Sequence, residues 1–567
     1  MREERNYWID VLQKRLSRRQ ALRAAAKAGL GMTGITLLGC AAAPAPTPTP
    51  AKAPSAAATP TPRPQPSPTP AVTAPASAVL SYAADPTSLD THLDSTRSGV
   101  GIHDLIYDGL FRRGRNPKLD LIPCLALSYR TVDDLTWEFK LRSGVKFHNG
   151  EEFNAEVVKF NVERQQDAAF KPRYITDFKD ITEVKVMDPL TVRIISKTPD
   201  PTMPLKFIQS MVVPMKYVKE KGNAILTTDP VGTGPYRFLK WVKDERIELE
   251  ANEGWWGWQK GAPWEKSAVI KKLTFRPIPQ DAGRIASLRT GEVDIFHPIS
   301  VEGAKAIKDD PNLEARYVRS ASSPWIGISQ LEPGPLRNKQ VRQALNYAVD
   351  VDTMLKTIMA GTAERQYSAV GPSYMGYDPN RKPYPYDPKK AKELLAAAGY
   401  PNGFEVVFDN PERGHPYQKE NVQAIAQYLA EVGVKAKIVP HATAEDFSGK
   451  AKQAGTGPVG LIYGTRGTST LDPDFVLYQS FHSQGSENYS YYNNPEFDRL
   501  VEEGRRTMDQ EKRVPIYRKA LELAFDDPAA IYLWQWTYEF GINKKKLPSA
   551  QPRLWLMGLY DYGPTGP

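Results

Sequence analysis

The stretch from Ala41 to Ala78 holds twelve prolines among alanine, threonine and serine, and only two charged residues, Lys52 and Arg63. Proline withholds the backbone donor and fixes the chain in extended geometry, so no packed core forms there. At ~3.1 Å per residue such a tract holds a globular body up to ~100 Å from whatever anchors its start. Folding is thereby assigned to the residues from Val79 onward.

What precedes the tract reads as an export signal. Ser17-Arg18-Arg19-Gln20-Ala21-Leu22-Arg23 supplies a basic segment, and an uncharged run from Ala28 ends in Leu37-Leu38-Gly39-Cys40. The run is too short to span a bilayer comfortably, which suits a signal over residues 1–39 better than a membrane helix. The basic core resembles the twin-arginine export motif, and Leu37 to Cys40 resembles a lipobox whose cysteine, Cys40, becomes the lipidated N-terminus. The expectation is a lipoprotein tethered through residues 40–78 to the outer face of the cytoplasmic membrane.

The formal charge of +9 belongs mostly to these leading segments. Met1 to Gly39 carries eight basic and three acidic residues and the tract adds two basic ones, which leaves +2 after Ala78. A nearly balanced body offers no nucleic-acid footprint. Lys544-Lys545-Lys546 reads as a solvated turn. Cys124 is the only cysteine besides Cys40, so with Cys40 lipidated an intrachain disulfide is excluded and stability rests on a large core. Nearly 490 residues suffice for at least two domains.

The body alternates helix and strand patterns. Val79 to Tyr82 and Leu135 to Leu141 read as strands, the second closed by Arg142-Ser143-Gly144. His148-Asn149-Gly150 supplies a turn, and Asn154 caps a helix carrying Val157, Val158 and Val162. Helices are likewise expected from Val341 to Ala348, after Asp387-Pro388 with an exit at Gly399, after Asn494-Pro495, and after Asp509. Strands over Phe404 to Phe408, Ala436 to Val439 and Gly460 to Tyr463 alternate with them, an α/β pattern.

Gly144-Val145-Lys146-Phe147-His148-Asn149-Gly150-Glu151-Glu152-Phe153-Asn154-Ala155 resembles the signature of the family 5 extracellular solute-binding proteins of ABC importers, the group of dipeptide, oligopeptide and nickel binders. Val231 to Phe238, Val341 to Asp350, Asp387 to Phe404 and Asn493 to Asp498 resemble further blocks of that family in its order. The resemblance implies a two-lobed, class II type clamshell, with the chain crossing twice between lobes. By analogy, residues 79–320 and 538–567 form the first lobe, with an extra subdomain near 116–228, and 321–537 form the second. Ligand binds between lobes and favours closure by contacting both at once, and the closed form meets a membrane permease. A monomer without a cofactor is expected.

In peptide-binding members, the resemblance implies, a carboxylate three residues before an acidic-Pro pair holds the peptide's amino group. The pair here is Asp472-Pro473, and the matching position is Ser469. Asp472 and Asp474 are the nearest substitutes. The segment from Tyr463 to Thr470 offers hydroxyls and the guanidinium of Arg466, whose donor fork suits a carboxylate or phosphate. Trp325, Trp534 and Trp536 fall near the expected crossings, either as cleft walls that stack on sugar or apolar groups or, for the last two, as one face of a core strand. Trp255, Trp256, Trp258 and Trp264 read as a loop. A peptide-like solute is therefore expected, with a sugar as the alternative.

The seven histidines show no close ligand-pair spacing, so a metal cargo is a minor alternative. Gly29-Leu30-Gly31-Met32-Thr33-Gly34 fits a dinucleotide fingerprint but lies inside the export signal with no strand before it. No Gly-x-Ser-x-Gly elbow or His-Glu-x-x-His motif occurs, so a secreted hydrolase would rest on acidic pairs such as Asp472/Asp474 or Asp526/Asp527 alone.

Overall fold

A computed structural model of the chain describes residues 75–114, 121–259, 262, 270–331, 334–412, 417–443, 447, 460–548 and 550. The export signal, Cys40, the tether up to residue 74 and Trp264 lie outside the described residues.

Among the described residues, three sheets of four or more strands carry the body. The first has seven strands in the order Leu313–Arg319, Thr537–Asn543, Ile295–Phe296, Ser77–Tyr82, Lys272–Pro277, Arg246–Ala251 and Tyr236–Val242. Its central strand Ser77–Tyr82 runs parallel to both neighbours. That strand begins two residues inside the proline-rich tract, because the last proline is Pro75 and Ser77 onward is free to pair. The second sheet has five strands in the order Val434–His441, Phe404–Pro411, Leu461–Arg466, Ser323–Ile328 and Ala530–Tyr532. The third, antiparallel, contains Ala126–Asp133, Thr136–Leu141, Thr191–Ser196 and Ile181–Asp188.

The chain leaves the first sheet at Arg319, enters the second at Ser323, leaves it at Tyr532 and returns to the first at Thr537. The two crossings lie side by side. The Ser320 N–H donates to the Trp536 carbonyl at 2.8 Å and the Trp536 N–H to the Ser322 carbonyl at 3.1 Å. Two short, adjacent, hydrogen-bonded crossings are the form a hinge takes, since few residues must absorb a change in backbone angles.

The expected helices form where their caps place them. Asn154 accepts from the Val157 N–H, Asp387 from that of Lys390, Asn494 from those of Glu496 and Phe497, and Asp509 from those of Glu511 and Lys512. Gly399 follows the helix Pro388–Ala397 at φ +92°, a conformation that costs a side-chain-bearing residue. The apolar faces of Lys339–Ala348, Pro388–Ala397 and Gln418–Glu431 cover the second sheet, burying Leu345, Leu395, Ile425 and Leu429. Truncating any one of these leucines to alanine costs about 2–5 kcal/mol.

His148 binds two of the family-like blocks together. Its ring Nε2 lies 3.0 Å from the Gly234 carbonyl, and its backbone N–H donates to the Gly232 carbonyl at 2.8 Å. Burial holds the imidazole at a pKa of about 4, hence neutral near pH 7. Glycine is required at 232, where an added Cβ would stand 2.0 Å from the Ile106 carbonyl oxygen.

Asp108 does the same for the tryptophan-rich loop. The indole N–H groups of Trp255 and Trp256 both donate to its Oδ2, at 3.1 and 2.9 Å, while Arg112 pairs with Oδ1 at 2.8 Å. The two rings are buried beneath the loop rather than standing on a rim. In the late lysine run, which does form a turn, Lys546 pairs at 2.8 Å with the buried carboxylate of Asp294.

Candidate functional site

The strands Ser323–Ile328 and Leu461–Arg466 pair antiparallel, with Trp325 opposite Gly464. A Cβ on residue 464 would stand 2.6 Å from the Trp325 indole nitrogen, so the glycine lets the ring lie across its neighbouring strand. Trp325 packs against Phe481 with ring centroids 5.2 Å apart. Its flank forms one wall of a partly open surface pocket, with Thr465, Arg466, Glu487 and Tyr489 also in the lining.

Arg466 ends its strand inside this pocket, where its guanidinium forms an ion pair with Glu487 and lies 5.1 Å over the Phe475 ring. Glu487 comes from the loop after the helix Pro473–Phe481, and its N–H donates to the Gln479 carbonyl at 3.0 Å. Tyr489 is steadied by an edge-on contact with Phe447 at 5.1 Å. The pocket thus presents both signs of charge between aromatic walls.

The loop from Gly467 to Asp472 is held from two sides. Tyr374, buried, donates its hydroxyl to the Ala321 carbonyl at 2.7 Å and accepts the Thr468 N–H at 2.8 Å. From the other side Arg113, which follows Phe111 on a strand 356 residues earlier, donates Nε to the Ser469 carbonyl at 3.0 Å and Nη2 to the Thr470 carbonyl. Ser469 is therefore buried under a guanidinium.

Asp472 caps the helix Pro473–Phe481 by accepting the Asp474 N–H at 3.0 Å, and both its oxygens are gripped by the buried Arg513. Asp474 receives the Tyr517 hydroxyl at 3.2 Å and lies 3.3 Å from Arg505, and burial raises its pKa to about 6. These carboxylates build an internal network, so their local role is structural. Trp534 and Trp536 meet edge-on at 5.9 Å within the hydrophobic cluster of the second sheet, both buried. Of the eight positions singled out from sequence, Trp325 and Arg466 come together in the pocket; Tyr463 lies on the other face of the sheet, fully buried in its hydrophobic cluster, and the other five hold the loop, the ion-pair network and the core.

Two residues escaped the sequence reading. Glu487 lies well past the Asp472-Pro473 pair, and a whole helix separates it from Arg466. Arg113 gives no local signal because its partners are far along the chain. Among the described residues, no group of three or more His, Cys, Asp or Glu side chains is disposed to hold a metal ion, and no helix is long and apolar enough to cross a membrane.

The sequence profile of the bacterial extracellular solute-binding proteins, family 5, matches residues 120–488. The glutathione-binding protein GsiB of Escherichia coli K12 is 31% identical over 503 residues, covering 85% of this chain and 93% of the relative. Among solved structures, the periplasmic binding protein DppA of Helicobacter pylori, in complex with peptide STSA, superposes with a TM-score of 0.67 at 26% identity, over 86% of this chain and 97% of that one. NikZ of Campylobacter jejuni, in complex with Ni(L-His), gives 0.66 at 26% identity, over 82% and 94%.

Proposed function

The chain belongs to the bacterial extracellular solute-binding proteins of family 5, substrate-binding components that deliver a solute to an ABC permease, and on that premise we propose that it captures a peptide-like compound carrying both an ammonium and a carboxylate. The observation that carries this reading is the Arg466–Glu487 pair set beside Trp325 in one pocket. A neutral sugar brings neither an ammonium for Glu487 nor a carboxylate for Arg466. The tryptophans that favoured a sugar are reduced to Trp325, since Trp534 and Trp536 pack in the core.

The lobes we assign are residues 79–320 with 538–567, and 321–537, with the extra subdomain near 116–228. The paired crossings near residues 320 and 536 support these divisions. Cys40 carries the lipid, the tether runs from there to the start of the strand at Ser77, and the body works as a monomer at the outer face of the membrane without turning its solute over. Closure follows from contact with both lobes, since a ligand shifts the population only by binding the closed form better.

Native mass spectrometry of the purified protein, before and after mild denaturation, tests the reading. Release of an unmodified peptide-like mass supports it. A hexose-spaced mass favours the sugar, and conversion of the compound on incubation reveals a hydrolase.

A further inference from the structure

We propose that Arg97 is a preset first-lobe anchor for an acidic side chain of the solute. This inference rests on the peptide-like reading and deepens it, since it assigns the solute a side-chain carboxylate and gives the first lobe a contact of its own.

Arg97 opens the helix Arg97–Ile106 and is exposed, yet its guanidinium is held on two sides. It lies 4.6 Å over the Tyr538 ring, and its Nη1 is 2.8 Å from the His297 Nε2. The buried His297 places Nδ1 2.9 Å from the Glu539 carbonyl, which can only accept. The ring proton therefore sits on Nδ1, and Nε2 is left to accept from Arg97. Burial, with the charge of Arg97 beside it, holds this imidazole at a pKa of about 3, hence neutral near pH 7. The contact aims the guanidinium without cancelling its charge.

No carboxylate cancels it either. Among the described residues the Arg97 guanidinium has no ion-pair partner. Glu539 lies within its field, but burial holds that carboxyl at a pKa of about 7, and its Oε1 takes the Thr537 hydroxyl at 3.1 Å. A planar donor fork already fixed on an aromatic face matches a carboxylate edge. Its order before binding lessens the entropy lost when the ligand arrives.

Its place is the junction of the lobes. Tyr538 follows the crossing at Trp536 as the second residue of the returning strand Thr537–Asn543. Across the junction, Tyr374 lies in the fields of Tyr538 and Arg113, and its hydroxyl accepts the N–H of Thr468 in the site loop. Arg113, from the same lobe as Arg97, reaches the carbonyls of that loop at Ser469 and Thr470. A solute seated beside the loop thus meets Arg97 from the facing lobe. An acidic side chain that reaches it adds a contact specific to the closed form, and such a contact is what shifts the population.

Three pairs of tripeptides test this. Each is trialanine with glutamate at the first, second or third position, set beside a glutamine twin that matches it in size and lacks the side-chain charge. Calorimetry on the full protein is expected to show at least one glutamate peptide binding about tenfold or more tighter than its twin. Arg97→Gln should reduce that preference to less than about threefold, with a melting temperature close to the parent's, and Arg97→Lys, which keeps the charge and loses the fork, should fall between. Should Arg97→Gln fail to fold, Arg97→Lys decides, with the preference expected to drop at least about threefold. Equal binding within every pair, tighter glutamine binding, or a glutamate preference that survives the substitution overturns the role of Arg97 and leaves the peptide-like reading standing. A parent protein that binds none of the peptides removes that reading as well.

Discussion

Arg513 grips both carboxylate oxygens of Asp472, with Nη2 at 2.9 Å from Oδ1, and neither side chain is more than 2% exposed. The same carboxylate caps the helix Pro473–Phe481, so one residue fixes the end of the site loop and the helix behind it. Removing one partner of such a pair strands the other in a low-dielectric interior, which typically costs 3–5 kcal/mol. Asp472→Asn is expected to lose that much by urea unfolding. In the double variant Asp472→Asn/Arg513→Gln the loss should fall well below the sum of the two singles, and additive losses would contradict the pairing.

Arg113 reaches from the strand Phe111–Arg113 to the Ser469 and Thr470 carbonyls, which belong to the loop after the second-sheet strand Leu461–Arg466. Hydrogen bonds from a charged donor are worth about 1.5–3 kcal/mol, and every 1.4 kcal/mol is tenfold in affinity. Arg113→Ala should raise the solute off-rate at least tenfold by stopped-flow tryptophan fluorescence, while the melting temperature stays within about 2 °C. An unchanged off-rate would show that the contact contributes nothing to retention.

Asp108 accepts both indole N–H groups, and its loss would leave them, the Thr233 hydroxyl and the Arg112 guanidinium short of an acceptor. Asp108→Ala is predicted to destabilise by at least ~3 kcal/mol. It should also shift tryptophan emission to the red as the loop over Trp255 and Trp256 loosens. An unshifted spectrum with unchanged stability would contradict the role assigned to the carboxylate.

How much of this was legible in the sequence depended on distance along the chain. Helices announced by Asn154, Asp387, Asn494 and Asp509 form there because a cap is a local interaction read within four residues. Arg466 was legible as a candidate because it is the one guanidinium in the segment just before the Asp472-Pro473 pair. Its partner Glu487 was not, since a helix intervenes, and Arg113 meets its loop only through tertiary folding. Trp534 and Trp536 illustrate the converse: position near a crossing suggested a cleft or a core alike, and the surrounding apolar side chains decide for the core. The Trp255–Asp108 contact joins residues 147 apart, beyond any local pattern.

Glu539, beside the returning crossing, is buried, and desolvation raises its pKa to about 7 from 4.5, against the opposing effects of the Thr537 hydroxyl and Arg97. The folded state therefore holds a proton that the unfolded chain releases. Its contribution is fully present below about pH 4.5 and is lost as pH rises to about 7, an interval worth ~3 kcal/mol. Parent and Glu539→Gln stabilities, measured by urea unfolding from pH 4.5 to 8, should differ by an amount that changes across that window in the parent's disfavour and levels off above it. A pH-independent difference would remove Glu539 from the titration.

Capture of a solute between two lobes requires that the lobes close on it. Small-angle X-ray scattering during titration with the solute released from the protein, run beside calorimetry, tests this most directly. The radius of gyration is expected to fall as solute is added and to saturate with the calorimetric Kd. Binding with no contraction, or contraction that does not follow occupancy, would contradict it.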